Sequence, residues 1–238
     1  MYRYKYYSLI GSVFTATLLI SNTLDNKIFA AGPMELPAGI ILFPLAYVFG
    51  DVLTEVYGYS ASRKIIWTGF LSLFLMVISY EAARRLPSAP SWKHQESFEH
   101  VLGGFSRIAL ASATAFVTGE FCNSYVLAKI KVKMNGRALS LRLVASTVVG
   151  QAVDTTTFVL IAYVGKEQPV FRIVLSAWAF KVAWEFLALP ITIRVVRFLK
   201  REEGEDFFDI ETDFSPFRLK TGAKKRRGSA IAGRSAVS

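Results

Sequence analysis

Residues 143–165, between Arg142 and Lys166, form an apolar stretch that holds one charge, Asp154, at its midpoint. A carboxylate near a bilayer centre costs at least about 2.5–3.5 kcal/mol on insertion scales, so acids placed there face a protein interior or aqueous cavity and mark substrate or proton paths. Counted between their own flanking charges, Glu120, Lys181 and Glu185 fall at nearly the same depth as Asp154. At 1.5 Å of rise per residue the four occupy a slab about 6 Å thick. Three segments therefore bring ionisable groups to one level.

Helical spacing sharpens that grouping, because residues three or four apart share a face. Thr147, Gln151, Asp154 and Phe158 make one stripe; Trp178, Lys181 and Glu185 make a second; Phe116, Glu120 and Asn123 make a third. Phe43, Tyr47, Asp51 and Glu55 form a fourth, displaced toward one membrane surface, where Arg63 or Lys64 is positioned to compensate the two acids. Lys181 and Glu185, at i and i+4, either neutralise each other or grip a ligand. Asp154 and Glu120 have no cation at that spacing on their own segments, so each must pair across helices, carry a proton or meet a solute. Trp178 and Trp184 sit deep and bring indole N–H groups that need acceptors. Rings beside carboxylates, an amide and a lysine suit a flat ligand held by its polar edge.

Six segments carry these stripes: about 7–24, 36–57, 65–83, 106–128, 143–165 and 172–196. Their length and composition predict an all-α membrane protein, a bundle of six transmembrane helices, in a chain of 238 residues that is 53% hydrophobic. The second is irregular, with Gly32, Pro33 and Pro37 before it, Pro44 inside it and Gly58 at its end, which predicts a kink or a re-entrant lead-in. Placing both termini in the cytoplasm puts twenty of the 28 basic residues inside, as the positive-inside rule requires. The expected location is the cell inner membrane. Residues 1–200 form the transport domain, and 201–238 a disordered cytoplasmic tail, acidic at Glu202–Asp206 and basic at Lys224–Arg227.

The net charge of +10 sits in loops between apolar spans, which argues against a nucleic-acid partner. One cysteine and two loop histidines give no disulfide or multi-ligand metal site, no cofactor is expected, and no Walker or dinucleotide-binding pattern occurs. No catalytic arrangement is visible either. The chain reads as a transporter of a small molecule rather than an enzyme, with a neutral or cationic solute preferred because acids outnumber Lys181 in the layer.

Three segments resemble the queuosine precursor transporter family: Asn22–Lys27; Pro37–Gly58, with Asp51-Val-Leu-Thr-Glu55-Val-Tyr-Gly58; and Gly150-Gln151-Ala-Val-Asp154-Thr-Thr-Thr-Phe158. The Lys181–Pro190 segment fits too. The resemblance implies a six-helix bundle similar to the substrate-binding components of vitamin uptake transporters. It also implies import of 7-cyano-7-deazaguanine, 7-aminomethyl-7-deazaguanine or queuine for tRNA modification. Asp154 or Glu185 would accept from the base's N–H edge, Gln151 and Lys181 would grip the rest, and Asn22, Asp51 and Glu55 would touch or gate the solute. Two alternatives stay open: a binding component that needs a separate ATPase module, for which Ser8, Ser12 and Ala16 offer a small-residue face, and a non-transporting membrane scaffold.

Overall fold

A computed structural model of the chain describes residues 4–31, 34–103, 105–163, 165 and 170–217. Its framework is helical. In chain order the elements are α1 (Tyr7–Leu24), a hairpin of β1 (Ile28–Ala31) and β2 (Met34–Pro37), a 3-10 turn (Ala38–Ile41), α2 (Phe43–Tyr57), α3 (Tyr59–Arg85), α4 (Gln95–Gly103), α5 (Phe105–Lys133), α6 (Leu139–Tyr163) and α7 (Val170–Glu203).

Every expected long segment is a helix, and the differences lie at the ends. Tyr7–Leu24, Tyr59–Arg85 and Leu139–Ala162 are long and apolar enough to cross a membrane by composition. The 15 residues of α2 are few for a bilayer core, and the polar side chains that make α5 and α7 chemically interesting also dilute their hydropathy. The irregular start of the second segment resolves as the antiparallel hairpin, Ile28 opposite Pro37, followed by the 3-10 turn. Ser21 Oγ donates to Gly39 O at 3.0 Å and ties that turn to α1. Pro44 falls in the first turn of α2, where its missing N–H has no intrahelical acceptor to lose. Gly58, at φ +83°, is the whole connection between α2 and α3. The polar loop after α3 holds the additional short helix α4.

Packing follows residue size. Gly119 on α5 and Gly150 on α6 form a reciprocal contact: a Cβ at 119 would lie 2.6 Å from Asp154 Cβ, and one at 150 would lie 2.6 Å from Asn123 Cβ. Only hydrogen at both positions lets the two backbones approach this closely, as small residues do between helices in membranes. Phe14, Val52, Val56, Tyr57 and Val196 join α1, α2 and α7 in one buried cluster, while Tyr59, Ile66, Phe121 and Ala128 join α3 to α5. Leu71, Leu75 and Ile78 on α3, and Leu187 and Ile191 on α7, point outward, a surface suited to lipid.

The segment expected to be disordered from Glu202 divides in two. α7 runs on to Glu203, and residues 205–217 lie against the bundle with specific hydrogen bonds. The basic block Lys224–Arg227 lies outside the described residues.

Candidate functional site

The expected polar layer is assembled from α2, α5, α6 and α7. Asp154 on α6 and Lys181 on α7 form an ion pair, both partly buried. The contact bears out the depth comparison for these two helices, and Lys181 thus reaches across helices to Asp154 as well as standing one turn from Glu185. Tyr47 Oη on α2 donates to Gln151 Oε1 at 3.0 Å, one turn from Asp154. Asn123 Nδ2 on α5 donates to Asp51 Oδ1 on α2 at 2.8 Å. Glu120 is one turn from Asn123 and lies against α2 at Gly50, where a Cβ would stand 2.7 Å from Glu120 Oε2. The glycine contact between α5 and α6 sets Glu120 and Asn123 beside Gln151 and Asp154.

Among the described residues, the layer is short of hydrogen-bond donors. Asp51 Oδ2, Glu120 Oε2, Asn123 Oδ1 and Glu185 Oε2 are buried acceptor atoms without a partner. The residues that bear them are nine-tenths or more buried. An orphaned buried acceptor costs about 1–3 kcal/mol, more when charged, so the arrangement favours anything that brings N–H groups or protons. The helices close tightly here: the crevice lined by Val144, Thr147, Val182, Glu185 and Phe186 has no room even for a water molecule. Small-molecule sites are usually about 300–1,000 Å³. A base-sized solute therefore requires the helices to part.

Other expected site residues lie further from Asp154. Trp178 is partly buried, and its indole Nε1–H donates to Val148 O at 3.0 Å, which fixes the ring against α6. Trp184 turns outward, 40% exposed, with its ring parallel to that of Phe180. It stands six residues from Trp178, about 120° around the helix at 3.6 residues per turn, so the stripe that holds Trp178 excludes it. Asn22 accepts from Ser112 Oγ at 2.7 Å. Ser112 precedes Glu120 by eight residues on α5, about 12 Å along the axis, so Asn22 stands well away from the layer.

The expectation for Glu55 needs correction. It is fully buried, and its cations are Arg142 of α6 at 2.6 Å, Lys200 of α7 at 2.5 Å and Lys131 of α5 at 3.4 Å, not Arg63 or Lys64. Lys131 and Lys200 also reach Asp206, at 2.6 and 2.8 Å. Sequence reasoning assigned these three cations to solvated loops and topology; the available signal was that all lie at the same ends of their helices as Glu55. Arg63 instead donates to Asp213 O and Ser215 O in the tail.

No solved structure matches. The chain is 28% identical over 168 residues to a protein of Bacillus subtilis (strain 168) named "Probable queuosine precursor transporter", covering 69% of this chain and 73% of that one. Residues 37–195, which contain every layer residue, match the family described as "Putative vitamin uptake transporter". The apolar helices, the buried polar layer and this match over most of the chain lead to one conclusion: the protein belongs to that family of membrane transport proteins and is not an enzyme.

Proposed function

We propose that this protein imports queuosine precursors, the 7-deazaguanine bases 7-cyano-7-deazaguanine, 7-aminomethyl-7-deazaguanine or queuine, across the cell inner membrane for tRNA modification. The observation that carries the reading is the donor-poor layer. A guanine-like edge offers adjacent N–H groups, which carboxylates accept in pairs, and a carbonyl, which a lysine or amide can donate to. Asp154 and Glu185 take the N–H edge, Gln151 and Lys181 the carbonyl side, and Tyr47 and Trp178 the ring faces. Glu120 and Asp51 supply the remaining acceptors on the α2 and α5 side, and Asn22 belongs to the approach rather than the layer. The proposed topology is six spans with both termini cytoplasmic, acting as a secondary transporter without an ATPase module.

The reading is tested by uptake of labelled deazaguanines into liposomes that hold the purified chain alone. Saturable uptake, lost in a well-folded Asp154→Asn variant, is the expected result. Uptake only after an ATPase module is added supports the binding-component alternative, and no binding of any deazaguanine overturns the proposal.

A further inference from the structure

The tail-side end of the bundle is built unlike the other end. Glu55, Lys131, Arg142 and Lys200 come from α2, α5, α6 and α7, the four helices that also build the polar layer, and their charges converge on the single atom Glu55 Oε1. Ser146, fully buried, lies one turn from Arg142 toward the layer. Across this end run residues 204–217. Asp206 joins the cluster, so that two carboxylates stand among three cations. Asp209 accepts the Tyr59 backbone N–H at 3.0 Å and caps the start of α3. Tyr59 Oη donates to Phe214 O at 3.0 Å, Arg63 holds Asp213 O at 3.0 Å, and Trp67 Nε1–H donates to Pro216 O at 2.8 Å. Phe207 packs on Gly58, and Phe208 on Gly136 with Lys131 over its ring.

These are more specific contacts than a solvated tail needs, and through Asp206 they tie α5 to α7, which must part for solute to leave. We infer that the Glu55 cluster is the inner gate of the transport path and that residues 204–217 form its latch. The latch acts through charge count. With Asp206 in place, three cations share two carboxylates; with it withdrawn, three share Glu55 alone, and the repulsion of Lys200 from Lys131 and Arg142 favours parting α7 from the α5–α6 pair at this end. Because Asp209, Arg63 and Trp67 anchor the segment to α3, a helix outside the cluster, the latch braces the moving ends against a separate support. The inference uses the transport activity shared by the family and does not depend on which solute is carried.

The test reads thiol accessibility in proteoliposomes and needs no solute. Cys122→Ser removes the native thiol and Ser146→Cys places one behind the gate; a membrane-impermeant maleimide is applied from the tail side. With the latch intact, labelling is slow. Asp206→Ala with Asp209→Ala is expected to raise the labelling rate by on the order of tenfold, as local opening populates. Arg63→Ala, which releases two latch carbonyls and leaves both acids in place, is expected to act in the same direction and serves if the double variant does not elute as a single species. Unchanged labelling in folded latch variants overturns the inference, and so does an equal rise in Glu81→Ala, which breaks the Arg84 and Arg85 pairs at the opposite end.

Discussion

Asp154 and Lys181 allow packing to be separated from transport. Their side chains are 18% and 21% exposed, so the pair belongs with largely buried ion pairs. Removing one partner of a buried pair costs about 3–5 kcal/mol, mostly because the other charge is left stranded. The residual exposure argues for the lower end, about 3 kcal/mol, or roughly 150-fold in the folded-to-unfolded ratio. For a chain of this size that is a fall of about 6–12 °C in the unfolding midpoint. Asp154→Asn and Lys181→Met should each show it in detergent, followed by tryptophan fluorescence. The double variant strands no charge, so most of the loss should return, with a coupling of about 2 kcal/mol or more. Uptake should not return with it, because neither the donor edge nor the carbonyl of the base then has its partner. A double variant that recovers both stability and uptake reduces the pair to a structural brace. Asp154→Asn with unchanged midpoint and uptake refutes both parts of the reasoning.

Gly150→Ala should cost about 1–3 kcal/mol by overpacking, since the new methyl meets Asn123 Cβ across two stiff backbones; a midpoint within a degree of the parent counts against the close approach. Arg142→Met should destabilise more than Lys200→Met, because Arg142 is fully buried while the Lys200 side chain is 20% exposed, and parallel thermal melts decide the order. Burial pushes the Asp206 carboxyl up, but Lys131 and Lys200 outweigh it and hold the group below its ordinary value of 3.8. Its stabilising contribution is therefore complete above that value and lost only as pH falls through the still lower folded value. Latch protection in hydrogen exchange should accordingly show no Asp206-dependent change between about pH 8 and pH 5, and a loss in that range that Asp206→Asn abolishes contradicts the assignment.

The long helices and the level of the Asp154–Lys181 contact were legible in the sequence because a membrane imposes one length scale and a helix one rise per residue. The stripes were legible for the same reason, and Tyr47, Gln151, Asp51 and Asn123 meet as their spacing suggests. The partners of Glu55 were not. Lys131, Arg142 and Lys200 lie at helix ends, where basic residues ordinarily serve topology and solvation, and nothing local distinguishes a lysine facing water from one turned inward. The latch was hidden likewise: a short run of acids after a long helix has the composition of a disordered tail, and its order comes from Lys131, from Lys200 and from α3 donors that lie 149–155 residues away in sequence. The glycine pair was visible as two letters, but only the facing helix shows what a side chain there would strike.

That glycine pair limits how the molecule can move. Two helices in contact through their backbones cannot slide or roll past one another without colliding with Asp154 Cβ or Asn123 Cβ, so α5 and α6 behave as one mechanical body. Glu120, Asn123, Gln151 and Asp154 then keep their mutual spacing through a transport cycle, and the displacement falls on α2 and α7, which carry Tyr47, Asp51, Lys181 and Glu185. In α7 the helix passes through Pro190, whose ring removes the hydrogen bond to the carbonyl four residues back. If the layer holds the solute as proposed, its α5–α6 half is a fixed wall and its α2–α7 half is the door.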